Sequence, residues 1–221
     1  MNNKVHNFSA GPSILPEKVF EQASSSINNF NGKGLSILEI SHRSKDFIDV
    51  LEEARSLGIE IAGLDKNEYS CLFLQGGASM QFLMTAYNFL NENAAYINTG
   101  SWSTKAIKEA KLFGNVTEIA SSSDKNFNYI PKEININDTY DYVHITSNNT
   151  IFGTQFHSFP KTESPLIVDM SSDIFSRKID YSQFDLIYAG AQKNLGPAGA
   201  TMVLIKNSLL EKVKRDVPSM L

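Results

Sequence analysis

From Tyr69 onward the chain alternates short apolar runs with amphipathic helical stripes, and this alternation restricts its fold more than any other feature. Tyr69 to Leu74 leads into a stripe of Phe82, Leu83, Ala86, Tyr87 and Leu90. Ala94 to Ile97 leads into Ala106, Ile107, Ala110 and Phe113, closed by Gly114. Strand, helix and strand again is the pattern of a mostly parallel sheet, because parallel neighbours need a crossover long enough to bring the chain back. Further strand-like runs follow at Val116 to Ala120, Tyr142 to Thr146, Pro165 to Val168, Asp185 to Ala189 and Ala200 to Ile205. The expected fold class is α/β, a three-layer α/β/α arrangement around a mostly parallel sheet. The polar stretch Ser121 to Thr139 lacks a sustained period and reads as an irregular excursion.

Two helices are expected before the first strand. One opens at Pro16, carries Val19, Phe20, Ala23, Ile27 and Phe30 on one face, stops before Gly32, and is expected to be packed. The other follows Ser44 as N-cap, with Phe47, Leu51, Ala54, Gly58 and Ile61 along its stripe and Gly63 as its stop. A charged helix is expected near the end of the chain, before Arg215. The 221 residues, 42% of them hydrophobic, are enough for one sizeable domain.

The net charge of −4 and only four arginines give no field that would gather nucleic acid, so an anionic ligand would need a local site. The single cysteine, Cys71, sits in an apolar run, which rules out an intrachain disulfide and suits a reducing cytoplasm. The polar start from Met1 to Asn7 carries no apolar signal core, and no run approaches a membrane span, so neither secretion nor a membrane partner is expected. Four histidines, His6, His42, His144 and His157, show no ligand spacing, and no metal is expected.

In parallel α/β sheets, ligands lie beyond the carboxyl ends of the strands. After Leu74 comes Gln75-Gly76-Gly77-Ala78-Ser79, either an ordinary tight turn or a phosphate cradle at a helix start. It is neither a Walker A loop nor a GxGxxG fingerprint. After Ile97, Trp102 could stack on a flat ring or simply fill space. After Thr146, Thr150 lies in a polar loop that ordinary turn chemistry also explains. After Val168, Asp169 needs a partner to offset its desolvation; a protonated ring nitrogen is one, capping the next turn is another, and Asp173 is a rival acid further into the loop. Lys193 lies between an apolar run and the glycine-rich turn Asn194-Leu195-Gly196-Pro197-Ala198-Gly199. Taken alone it reads as one solvated lysine among many. A half-buried amine, however, is nucleophilic and condenses with an aldehyde cofactor.

The order of these elements is more specific than any one of them. With Asn7-Phe8-Ser9-Ala10-Gly11-Pro12, Ile40-Ser41-His42-Arg43-Ser44, Gly76-Gly77-Ala78-Ser79-Met80-Gln81-Phe82, Thr99-Gly100-Ser101-Trp102-Ser103, Ser147-Asn148-Asn149-Thr150-Ile151 and Ala191-Gln192-Lys193-Asn194-Leu195-Gly196-Pro197, the chain closely resembles the phosphoserine aminotransferases. These belong to the class V-type pyridoxal phosphate aminotransferases, of the aspartate-aminotransferase-like fold. The resemblance spans nearly all of the sequence.

It implies that Lys193 bonds covalently to pyridoxal 5'-phosphate, that Asp169 pairs with the pyridine nitrogen and that Trp102 stacks on the ring. It also implies that Ala78, Ser79 and Gln192 hold the phosphate and that Thr150 meets the ring edge. Ser9, His42 and Arg43 fall on the substrate side, where arginine suits an anionic group. Some relatives carry an arginine where Ser79 stands, so this chain offers less charge to a substrate phosphate. The implied reaction is transfer of an amino group from glutamate to 3-phosphohydroxypyruvate, giving phosphoserine and 2-oxoglutarate in serine biosynthesis. Relatives also accept a phosphorylated hydroxythreonine precursor of pyridoxine. Family chains pair as homodimers and continue into a smaller domain, so residues 1–221 read as the cofactor-binding large domain with an N-terminal substrate-contacting segment. The rival readings are another transaminase of the fold, a cysteine desulfurase, for which Cys71 is poorly placed, a catalytically incompetent fragment, and a binding module without chemistry.

Overall fold

The computed structural model describes residues 5–218; the polar first four residues, on which part of the reading of the chain's start rests, and the last three lie outside it. Seven strands form one sheet: β1 (Tyr69–Gln75), β2 (Asn93–Asn98), β3 (Asn115–Ser121), β4 (Val143–Thr146), β5 (Leu166–Asp169), β6 (Leu186–Gly190) and β7 (Ala200–Lys206). Their order across the sheet is β1-β7-β6-β5-β4-β2-β3. The block β3, β2, β4, β5 and β6 is parallel throughout. β7 runs antiparallel to both β6 and β1, so it alone is reversed. The mostly parallel α/β sheet expected from the alternation is therefore present.

Each face of the sheet carries its own core, as a doubly covered sheet requires. On one face, Tyr96, Ile167, Leu186 and Val203 pack against Phe82, Ala86 and Phe89 of α3 (Ser79–Phe89) and Ala106, Ile107 and Ala110 of α4 (Ser101–Ala110). On the other, Ile145, Val168, Ile187 and Leu204 pack against Ile59 and Ala62 of α2 (Lys45–Ala62). Ile130, Ile134 and Ile136 of the excursion after β3, and Phe159 of the segment between β4 and β5, also pack against that core. Strands buried on both faces are near-continuous apolar runs, which is why these were legible as strands. Removing Ile187, fully buried between the layers, to Ala would cost about 2–5 kcal/mol.

Two expectations need correction. α1 (Glu17–Asn28) forms where its stripe predicts, but none of its residues is buried, and Phe20 is 54% exposed. Phe30 is buried, yet it lies in a separate 3-10 turn, Phe30–Gly32. Periodicity reports that a helix has an apolar side, and not what covers it. The charged helix expected near the end is only the four-residue α5 (Asn207–Leu210), after which residues 211–218 form turns and irregular chain. α2 begins and ends as read, with the Ser44 hydroxyl accepting from Phe47 N–H and Gly63 as its C-cap. Among the described residues no helix is long and apolar enough to cross a membrane.

Because β2, β4, β5 and β6 run in the same direction, Asn98, Thr146, Asp169 and Gly190 end on one edge of the sheet. The loops that follow them converge there, together with the turn between β1 and α3.

Candidate active site

One cavity at this edge, about 440 Å³ counted to its open mouth, is lined by Gly77, Ala78, Ser79, Phe82, Trp102, Asp169, Ser171, Gly190, Gln192 and Lys193. Six of the ten residues singled out from sequence line it: Ala78, Ser79, Trp102, Asp169, Gln192 and Lys193. Roomier grooves elsewhere, such as the one between residues 129–134 and 153–160, gather no comparable set of groups.

Asp169 is the last residue of β5 and is almost sealed from solvent. Ser171 donates to its Oδ1 twice, from the backbone N–H at 2.9 Å and from the hydroxyl at 2.6 Å. Both bonds end on Oδ1, so Oδ2 remains available. Burial pushes the carboxyl above the usual range, and the Ser171 bonds and the Lys193 charge oppose that only in part. Asp173, the rival acid, is engaged elsewhere: Ser147 and Gln155 donate to it, and Arg177 lies 3.7 Å away.

Lys193 lies in the turn after β6. That turn is closed by Ala191 N–H donating to Ala200 O at 2.9 Å and Gly196 N–H donating to Ala191 O at 2.7 Å. Its Nζ donates to Thr150 Oγ1 at 2.7 Å and sits 5.1 Å from the centre of the Trp102 ring. Burial lowers its pKa from the ordinary lysine value, with Asp169 pulling the other way. Lysine and aspartate are thus both disfavoured in their charged forms by the same dry setting. Each offsets the other incompletely, and a bound cationic ring nitrogen would add what Asp169 lacks.

Thr150 reaches Lys193 because its loop is pinned. Asn149 N–H donates to Thr154 O at 2.8 Å, and Asn148 Nδ2 donates to Ser172 Oγ at 2.8 Å. Trp102 is in the first turn of α4, one step further into the helix than the sequence reading placed it. The helix start is fixed by Ser103 Oγ, which accepts from Thr99 N–H and Gly100 N–H at 3.0 and 2.9 Å. Trp102 Nε1 is buried without a protein partner among the described residues, a donor that a polar ligand would satisfy.

The turn before α3 needs Gly76 at φ 89°, which an L side chain rarely adopts. It is tied to the far end of the Lys193 loop by Gly76 N–H donating to Gly199 O at 2.9 Å and by Thr201 Oγ1 donating to Gly76 O at 3.0 Å. The free N–H groups at the start of the 11-residue α3 therefore face the same cavity as Lys193. A helix start, a flat indole, a carboxylate oxygen and a half-buried amine form a cradle for an anionic tail, a ring, a ring nitrogen and a carbonyl carbon. These walls fit the cofactor implied by the sequence.

Ser9, His42 and Arg43 are not brought into this cavity; all three are exposed. The N-terminal segment nevertheless crosses the Lys193 loop. Ser13 N–H donates to Gln192 O at 2.9 Å, the Ser13 hydroxyl donates to Lys193 O, and a Cβ on Gly11 would lie 2.9 Å from Lys193 Cγ. Sequence reasoning missed Ser171, whose only signal is its position two residues after the strand-end acid. It also read Phe82 only as part of a helix stripe, although that ring forms part of the cavity wall.

The sequence matches the aminotransferase class-V family over residues 5–218. It is 61% identical over 220 residues to the phosphoserine aminotransferase of Flavobacterium johnsoniae, a match covering 99% of this chain and 62% of the relative. With that of Bacteroides fragilis it shares 55% over 218 residues, covering 99% and 61%. Among solved structures, the phosphoserine aminotransferase of Bacillus circulans subsp. alkalophilus superposes with a TM-score of 0.94 at 45% identity, covering 99% of this chain and 62% of that one. The pyridoxal-phosphate-bound phosphoserine aminotransferase of Trichomonas vaginalis gives 0.90 at 33%, covering 98% and 62%. The chain spans about 62% of the length of the first of these curated relatives.

Proposed function

The chain belongs to the class-V aminotransferase family, and on that premise we propose that the protein is a pyridoxal 5'-phosphate-dependent phosphoserine aminotransferase. It moves the amino group of glutamate to 3-phosphohydroxypyruvate. The observation that carries the reading is the meeting of Lys193, Asp169, Trp102 and the Gly77-Ala78-Ser79 turn in one cavity. The 61% identity to a relative of that name supports the choice of substrate.

When bound, pyridoxal phosphate supplies an aldehyde that captures amines and a ring that withdraws electrons. The protein's own residues do the rest. Ala78, Ser79 and Gln192 hold the phosphate against the start of α3. Asp169 Oδ2 holds the ring nitrogen in its protonated form, and Trp102 covers one ring face and excludes water. Lys193 Nζ, whose proton affinity burial lowers, would hold the cofactor's carbonyl carbon and, when not so engaged, would move a proton at the substrate α-carbon. Thr150 orients Nζ and then meets the ring edge.

On the substrate side, Arg43 suits an anionic group through bidentate pairing, with His42 next to it in sequence and Ser9 of the N-terminal segment as a further contact. With Ser79 where some relatives have arginine, the substrate phosphate depends the more on these exposed groups. Residues 1–221 act as the cofactor-binding domain of a cytoplasmic homodimer. The exposed Phe20, Ile27, Leu38 and Ile61 of the first helices and turns supply apolar surface for such pairing. No observation favours a desulfurase: Cys71 lies in the sheet, and burial pushes its thiol up to about 11, far from the thiolate such chemistry needs.

The test is the rate of 2-oxoglutarate formation from glutamate by the intact protein with different keto acids. Preference for 3-phosphohydroxypyruvate over its unphosphorylated analogue by about 100-fold or more in kcat/KM is expected. Ready use of alanine with indifference to phosphorylated partners would contradict the assignment.

A further inference from the structure

Under the floor of the cavity lies a row of buried rings that the reaction just described does not use. Tyr142, just before β4, Tyr96 of β2, His144 of β4 and Tyr188 of β6 are each at most 1% exposed. The Tyr96 and Tyr142 hydroxyls are 2.7 Å apart, the His144 ring stacks on Tyr96 with centroids 4.8 Å apart, and His144 Nε2 lies 2.8 Å from Tyr188 Oη. At its far end the row meets the site twice. Tyr188 is the strand partner of Asp169, and the Tyr188 ring packs edge-on, at 6.2 Å, against Phe82 of the cavity wall.

A residue that only filled this space would be apolar. His144 instead brings two nitrogens into a sealed setting, where Nε2 pairs with Tyr188 and Nδ1 has no protein partner among the described residues. Burial lowers its pKa to about 3, so the imidazole is neutral through the physiological range and adds no second cation to compete for Asp169. The groups facing the pair are the Tyr96 and Tyr142 phenols and, across β5, the Asp169 carboxylate; burial above all, and the Asp169 charge after it, keep the Tyr188 phenol protonated.

In the sheet register Asp169 stands between Thr146 and Tyr188. Ser171 holds only Oδ1, so the direction of Oδ2 depends on what stands beside it. We propose that His144 is a positioning residue: by tethering Tyr188 next to Asp169, it sets how firmly that carboxylate holds the cofactor's ring nitrogen. The proposal rests on the cofactor reading given above.

The test uses the intact protein loaded with pyridoxal phosphate, comparing wild type with His144→Phe, Tyr188→Phe, the double variant and Ile145→Ala. Ile145 faces the opposite core from the same strand and serves as a control for plain destabilisation. Three quantities are measured: the pH midpoint of the bound cofactor's visible absorbance, the cofactor dissociation constant and the Tm of the cofactor-free protein. A protonated ring nitrogen lowers the proton affinity of the nitrogen joining Lys193 to the cofactor, so a looser hold raises the midpoint. His144→Phe and Tyr188→Phe are each expected to raise it by about half a unit or more and to weaken cofactor binding about three- to tenfold.

Since the pair acts as a unit, the double variant should regain Tm while keeping the shifted midpoint, its shift no larger than that of either single variant. Ile145→Ala should lower Tm and leave the midpoint in place. If His144→Phe fails to fold, Tyr188→Phe decides the matter. Wild-type midpoints in the folded variants, or an equal shift in Ile145→Ala, would overturn the proposal and leave the cofactor reading intact. A wild-type protein that gains no visible absorbance with the cofactor would overturn both.

Discussion

The carboxyl edge of the parallel strands and the N-terminal arm carry comparable sequence motifs, yet they are built in opposite ways. At the strand edge the proposed cofactor groups belong to a network tied to distant segments: Lys193 donates to Thr150, the Ser171 hydroxyl that holds Asp169 accepts from Gly190 N–H, and the Gly76 turn is bound to Gly199 and Thr201. In the arm, Ser13 reaches the Lys193 loop, but Ser9, His42 and Arg43 are exposed, and the bonds at Ser9 and Arg43 are local: Ser9 N–H to Asn7 Oδ1 and Arg43 N–H to Ser41 Oγ. No residue of helix α1, which lies between them in sequence, is buried. The proposed cofactor groups are therefore preorganised within this chain, while the proposed substrate groups lie on an exposed surface. Preorganised groups contribute to the chemical step, and surface groups contribute chiefly to capture of substrate.

Two substitutions probe that contrast, the larger effect first. Asp169→Asn keeps the shape and the Ser171 bonds but removes the charge. It should lower kcat about 100- to 1000-fold, while the cofactor-free protein, relieved of a buried carboxyl, keeps its Tm or gains slightly. A kcat within a few-fold of wild type would break the distinction. Arg43→Ala should raise KM for the anionic substrate about 10- to 100-fold and leave kcat and cofactor affinity close to wild type, as expected for losing a charge-assisted pair at an exposed position. Equal losses in kcat and kcat/KM would instead place Arg43 within the organised half of the site.

The same contrast explains how much could be read beforehand. Strands buried on both faces appear as apolar runs, and ligands lie beyond their carboxyl ends, so Asp169, Lys193 and Trp102 were placed where a ligand would sit, while their cofactor roles came from the order of the motifs and the resemblance it carries. What escaped depends on contacts between distant segments. β1 pairs with β7, in register from Tyr69 with Lys206 to Gln75 with Ala200, and no local period announces so distant a pairing. Ser171 resembles any turn serine until Gly190 N–H is seen to donate to its hydroxyl at 3.1 Å while that hydroxyl holds Asp169. His144 offered no ligand spacing, and its position became meaningful only when the sheet set it beside Tyr96 and Tyr188. The stripe of α1 was read correctly as apolar and wrongly as packed, because a helix's partner is a tertiary fact.

The central claim is that one amine, at Lys193, bonds the cofactor inside the cavity it shares with Asp169. Reductive trapping of the intact protein with pyridoxal phosphate and borohydride, followed by peptide mapping by mass spectrometry, tests it directly among the chain's 16 lysines. Near-stoichiometric labelling of Lys193, abolished by Lys193→Ala, is the predicted result. Label scattered over other lysines, or retained in Lys193→Ala, would contradict it.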